Sequence, residues 1–287
     1  MKKILDVINY HCRCFIRSLF WIFIQCKQAN FKNYCVRKIR CHRLIILANG
    51  PSLAEELSKG ELDMKEADIC VVNDFCKSSF FYNLKPATYV LADPMYFYDE
   101  LMRETERETI DLIMGVNWEM NLYVPFIVIN QAKAKINNPF VTIIPYHSNS
   151  YEGWHRVRYF LFHKGLSMPK IQNVLIPCIF NGINLGYTKI ELYGVDHSWT
   201  KDIIVNEKNQ VCLADYHFYD LHVSANPWLK SSGEAYTMCE VLRDLAIMFE
   251  AYYVLRNYAE KNGCEIINMT YNSFIDAFQR GSYNDTN

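Results

Sequence analysis

Four signatures that commonly declare the chemistry of an α/β protein are missing from this 287-residue chain. No GxxxxGK[ST] occurs, which excludes a P-loop nucleoside triphosphatase. No GxGxxG follows the first apolar run, which argues against an ordinary Rossmann dehydrogenase. There is no GxSxG elbow for a nucleophilic hydrolase and no DxD carboxylate pair, so chemistry without an essential metal is expected. The 11 cysteines include no CxxC pair, which argues against a zinc site. Their odd number and their places inside apolar runs fit free thiols in a reducing, cytoplasmic setting. A membrane-spanning run is also lacking from residues 1–43. Their longest uncharged apolar stretch, Leu19–Ile24, is six residues, and no small-x-small cleavage site follows it.

Hydrophobic residues make up 51% of the chain and charged residues 21%, which rules out a disordered chain and supplies a full core for one large domain or two small ones. The net charge of −1 is unevenly divided. Residues 1–43 carry ten Lys and Arg against a single acid, Asp6, so the remainder is net acidic. A basic head on an acidic body points to an anionic partner for the head alone, and not to a nucleic-acid binder. Within the head, Ile4, Ile8, Cys12, Phe15, Leu19 and Ile22 recur at helical spacing, with Ile16 widening the stripe and Arg13 and Arg17 on another face. This predicts an amphipathic helix lying on an anionic membrane surface, with packing on the protein's own body or on a twin subunit as the alternatives.

From residue 44 the pattern alternates between short apolar runs and amphipathic stretches. Strands are expected at Leu44–Ala48, Ile69–Val72, Thr88–Ala92, Leu112–Met114, Phe126–Ile129, Val141–Ile144, Lys189–Tyr193 and Cys264–Asn268. Helices are expected from Ser52, over Asn173–Leu185 and Gly233–Lys261, and in short form over Ser273–Phe278. Apolar runs flanked by helices predict a doubly wound, mostly parallel Rossmann-like sheet, forming one α/β body over residues 44–287. Two aromatic, less periodic regions, 146–170 and 198–232, are expected to form a lid.

Ligands of such sheets bind beyond the carboxyl ends of the strands. Those ends here carry Asn49-Gly50-Pro51-Ser52, Asn73-Asp74, Asp93-Pro94 and Gly194-Val195-Asp196-His197. Glycine allows close approach of backbone to ligand, Ser52 and the helix after it offer donors to a phosphate, and Asn73, Asp93 and Asp196 can bond a ribose or base. The row suits a nucleotide.

The Asn49–Leu53 segment (NGPSL), Asn73 after the next strand, and Leu185–Asp196 (LGYTKIELYGVD) resemble the bacterial sialyltransferases of glycosyltransferase family 42. The ending around Ile266–Thr270 and Ser273–Phe278 is similar to a wider set of α/β proteins that includes 6-hydroxymethylpterin diphosphokinase-like domains. The first resemblance implies a CMP-sugar donor, with Asn49, Gly50, Pro51 and Ser52 at phosphate and ribose, Asn73 at the nucleotide, and Gly194 and Asp196 at the cytidine. Asp93 and Asn173 stand where those enzymes carry Asn and a Thr-Ser pair. It also implies an inverting transfer with a His as general base, on the loop before the long C-terminal helix. His217 and His222 both fall there. His217 is preferred because Asp215 and Asp220 can orient it, while Tyr216 and Tyr219 can donate to the departing phosphate; His197, beside the nucleotide row, is a further candidate.

The expected partners are therefore a nucleotide-sugar donor and a glycan or glycolipid acceptor, in bacterial surface polysaccharide or lipopolysaccharide synthesis. The protein would sit peripherally at the inner membrane face, and a homo-oligomer is allowed. Mg²⁺ is allowed but not required. Two alternatives stand beside this reading: Mg²⁺-dependent pyrophosphoryl transfer using Asp74, Asp93 and Asp196, and a non-catalytic nucleotide-binding subunit held at the membrane.

Overall fold

The computed structural model describes residues 2–25, 41–58, 62–215, 224–230 and 232–281. Eight strands form one sheet. In chain order they are β1 (Arg43–Leu47), β2 (Ala67–Val72), β3 (Thr88–Val90), β4 (Met120–Pro125), β5 (Val141–Tyr146), β6 (Lys189–Tyr193), β10 (Glu265–Asn268) and β11 (Gln279–Arg280). Three more, β7 (Ile203–Val205), β8 (Val211–Asp215) and β9 (Ser224–Pro227), form a separate antiparallel sheet within the 198–232 region. Every pairing in the main sheet is parallel, and the order is β11-β10-β6-β1-β2-β3-β4-β5. The chain starts in the middle, winds outward through β5, then returns to lay β6 on the other side of β1.

Because side chains alternate across a strand, each strand feeds two cores. Ile45 and Leu47 of β1, with Val71, Tyr89, Leu122 and Val124, pack against α2 (Ser52–Ser58), α3 (Phe81–Leu84), α4 (Glu104–Met114) and α5 (Ile129–Lys135). Leu44 and Ile46, with Cys70, Val72, Val90 and Ile144, pack against α6 (His155–His163), α7 (Leu175–Leu185) and α8 (Met238–Lys261). Helices on both faces explain why the strands read as continuous apolar runs. The N-terminal α1 (Lys2–Phe20) continues into a π-turn over Trp21–Gln25.

Several expected elements are corrected. Leu112–Met114 is the last turn of α4, not a strand. Ile110 and Ile113 are buried at helical spacing while Asp111 between them is exposed, and three apolar residues cannot distinguish the two periods. Phe126–Ile129 is likewise not a strand. The strand lies just before it, ends at Pro125 paired with Tyr146, and gives way to a 3-10 turn and α5. α7 starts at Leu175 rather than Asn173, whose Oδ1 accepts from the Leu175 N–H at 2.8 Å, while Pro177 sits in the first turn, where its missing N–H costs nothing. α8 starts at Met238, after the capping box of Thr237 and Glu240. Ser273–Phe278 forms no helix. Asn268 Nδ2 reaches Ser273 Oγ at 3.0 Å and Ser273 Oγ donates to the Val195 carbonyl at 2.5 Å, so side chains take the bonds a helix would need.

Candidate functional site

With β6 laid beside β1, the topological switch point falls between these two strands, where the loops leaving them diverge and open a crevice. A cleft of about 180 Å³ opens there. Asn49, Gly50 and Pro51 after β1, Asn73 after β2, Asn173 before α7, and Gly194, Asp196 and His197 after β6 all line it. Eight of the residues assigned to a nucleotide on sequence grounds thus share one surface, although they span 148 positions from Asn49 to His197.

The two turns are locked together. The Gly50 N–H donates to the Gly194 carbonyl at 2.9 Å, and the Ala48 N–H to the Tyr193 carbonyl at 2.9 Å. A Cβ on Gly50 would lie 2.0 Å from Asp196 Oδ2 and 2.4 Å from the Gly194 oxygen, so only glycine fits. Gly194 has φ +65°, the left-handed region that glycine enters freely. Ser52 does not line the cleft. Its hydroxyl donates to Asp196 Oδ2 at 2.8 Å, so the carboxylate that sequence assigned to a ribose caps the start of α2 from the facing turn. Burial raises the Asp196 pKa, against the pull of the Ser52 bonds. Asn49 Nδ2 donates to the Val72 carbonyl at 3.2 Å and ties β1 to β2, leaving Asn49 Oδ1 buried without a hydrogen-bond partner.

His197 is buried, sits at φ +53°, and shares a 2.6 Å hydrogen bond between Nε2 and the Tyr252 hydroxyl of α8. Its ring lies 4.5 Å from that of Trp199. Burial pushes its pKa down to about 3, so it is neutral at physiological pH and a poor proton acceptor. Asp93 lies apart from the cleft, at an exposed position, where its carboxylate caps a 3-10 turn by accepting from the Met95 N–H at 2.9 Å. Tyr216, His217, Tyr219, Asp220 and His222 lie outside the described residues, and so does the loop expected to carry the base.

Sequence reasoning passed over Trp199 and Tyr96 as site residues. Both line the cleft. Trp199 lies three residues after Asp196 and Tyr96 three after Asp93, positions that proximity to a strand end could have flagged. Asp74 also lines the cleft, accepting from Thr109 Oγ1 at 2.5 Å and the Tyr96 hydroxyl at 3.0 Å. Asp74, Asp93 and Asp196, the carboxylates a bound magnesium would call on, are therefore each engaged with different partners. Among the described residues no group of three His, Cys, Asp or Glu side chains converges on a metal position.

The C-terminal segment buttresses the β6 turn. Thr270 Oγ1 accepts from the Val195 N–H at 3.0 Å, and the Phe274 N–H donates to the Asp196 carbonyl at 2.8 Å. Asn268, Thr270 and Ser273 are all buried.

No protein-family model matches the chain. None of the curated proteins matches it either. Among solved structures it is similar to the monofunctional alpha-2,3-sialyltransferase Cst-I from Campylobacter jejuni, at 17% identity over 87% of this chain and 83% of that one, with a TM-score of 0.46.

Proposed function

We propose that the cleft between the β1 and β6 turns takes a nucleotide-activated sugar and that the protein is a glycosyltransferase. The observation that carries this reading is the convergence of Asn49, Gly50, Asn73, Asn173, Gly194 and His197 on one cleft at the switch point of a parallel sheet. The cleft is small beside the roughly 300–1,000 Å³ of most ligand pockets. A nucleotide would fill it and leave its sugar outside, toward the acceptor. The motif resemblance favours CMP as the nucleotide and a surface polysaccharide or lipopolysaccharide as the product.

In the reaction the acceptor hydroxyl loses its proton to His217 and its oxygen attacks the anomeric carbon. The bond from that carbon to the phosphate oxygen breaks with inversion, and the nucleoside monophosphate leaves with the electron pair. His197 does not serve as the base in this scheme, because its Nε2 is committed to Tyr252 and its pKa is low. A neutral imidazole next to Trp199 suits it to packing against the nucleotide.

A thermal-shift panel of CMP, CDP, UDP, GDP and ATP, each with and without Mg²⁺, tests the reading. CMP without metal should stabilise the protein, by about 2.7 kcal/mol at 100 times its dissociation constant. Stabilisation by ATP with Mg²⁺ alone would replace it with pyrophosphoryl transfer. CMP binding without transfer to any glycan acceptor would make the protein a binding subunit.

A further inference from the structure

α1 divides into two faces of different fate. A narrow seam docks on the body. Cys14 is 3% exposed and Trp21 7%, and Trp21 packs with Tyr151 and Leu161. Ser18 Oγ lies 2.7 Å from the Tyr151 hydroxyl, Arg17 donates to the Glu152 carbonyl at 3.1 Å, and Trp154 Nε1 donates to His11 Nδ1 at 3.0 Å. Among the described residues none covers the remaining apolar side chains in this way. Ile8 is 54% exposed and Phe15 53%, and Ile4, Leu5, Ile16, Phe20, Ile22 and Phe23 are exposed as well. The predicted stripe thus faces away from the body, and a different set of residues makes the dock. An apolar face of this extent on a helix that is already anchored marks a surface meant for a partner.

The net charge of this part of the sequence indicates which partner. Lys3 and Arg13 of α1 are exposed, and in sequence residues 1–43 hold ten Lys and Arg against one acid, Asp6; of the ten, Arg43 is paired with Glu191 at 2.6 Å. A second copy of this chain would bring the same positive charge to the face and repel it. An anionic lipid surface supplies the opposite charge together with hydrocarbon for the apolar side chains. We propose that α1 is a pre-docked, in-plane membrane anchor that binds anionic lipid through the face carrying Ile4, Ile8, Phe15 and Leu19. No helix among the described residues is long and apolar enough to cross a bilayer, so the contact is interfacial. The seam to Tyr151 and Trp154 holds the anchor in a set orientation on the body, in contrast to a flexible tether. This inference does not rest on the reaction assigned to the cleft, and either can fail alone.

The test is sedimentation of the full chain with vesicles of phosphatidylcholine, with or without phosphatidylserine. The wild type should pellet with the anionic vesicles and much less with the neutral ones. Ile8→Glu with Phe15→Glu, both at exposed positions where folding is not at stake, should weaken partitioning by about tenfold or more for each side chain kept out of the hydrocarbon. Lys3→Gln and Arg13→Gln should each cost about fivefold on anionic vesicles. Leu242→Glu, at an exposed apolar position on α8, should change nothing. Wild-type protein that ignores anionic vesicles overturns the proposal. So does a wild-type dimer that Ile8→Glu and Phe15→Glu convert to monomer, which would assign the face to a second copy.

Discussion

Replacing Gly50 by alanine probes the contact on which the cleft is built. The added Cβ would sit 2.0 Å from Asp196 Oδ2, 2.9 Å from Asp196 Cγ and 2.4 Å from the Gly194 oxygen, where real Cβ atoms essentially never come within 3.0 Å. The Asp196 side chain can swing away, but it then gives up the 2.8 Å bond from Ser52. A lost hydrogen bond to a charged group costs about 1.5–3 kcal/mol. The Gly194 oxygen cannot follow, because it accepts the Gly50 N–H at 2.9 Å and belongs to a turn held by Thr270 and Ser273. Forcing those backbones apart adds about 1–3 kcal/mol of strain. Gly50→Ala should therefore destabilise the protein by about 3–5 kcal/mol, a large share of the roughly 5–15 kcal/mol of a typical domain. Urea unfolding of the wild type, Gly50→Ala, Asp196→Ala and the double variant measures it. The double variant should be less unstable than the sum of the singles, since one clash disappears with the carboxylate. It should stay less stable than Asp196→Ala, since the clash with Gly194 persists. A Gly50→Ala protein within about 0.5 kcal/mol of the wild type, the range of an inert surface change, would refute the close packing of the two turns.

His197 should make the fold acid-sensitive. Its pKa falls from 6.5 to about 3 on folding, so between those values the unfolded chain binds a proton that the native one does not. Its contribution is complete above pH 6.5 and is lost as pH falls, at about 1.4 kcal/mol per pH unit, or about 2 kcal/mol by pH 5. His197→Asn tolerates the left-handed backbone and should flatten that slope in denaturation curves at pH 7 and 5; equal slopes in the two proteins would count against it. His217→Ala should lower sugar transfer by about 10²–10⁴-fold while leaving nucleotide affinity intact. If His222→Ala shows that loss and His217→Ala does not, the base is His222.

The strands of the sheet centre were legible because burial on both faces leaves a continuous apolar run, as in Leu44–Leu47 and Ile69–Val72. Leu112–Met114 and Phe126–Ile129 were misread because a run of three or four apolar residues satisfies a helix turn as readily as a strand. Ser273–Phe278 was misread for another reason: its periodicity is helical, but the buried side chains of Asn268 and Ser273 outcompete the helix for its backbone groups. At the site, punctuation at strand ends revealed most of the residues that gather, with Ser52 and Asp93 the exceptions. It could not reveal that Asp196 turns toward Ser52, a contact between positions 144 apart, or that burial under Tyr252 would silence His197. Both depend on how distant segments pack, which no local pattern carries.

The placement of β6 next to β1 also has a bearing on biogenesis. β1 is an apolar central strand, and one of its edges stays unpaired until residues 189–193 have been synthesised. At about 5–20 residues per second, about 7–30 s pass between completion of β1 and arrival of its partner. Through that interval the nascent half-sheet presents a bare edge, apolar from Leu44 to Leu47, of the kind that pairs with neighbouring chains. Conditions that slow elongation between β1 and β6, or that raise the density of ribosomes on one message, should send this protein into aggregates before its cleft has ever formed.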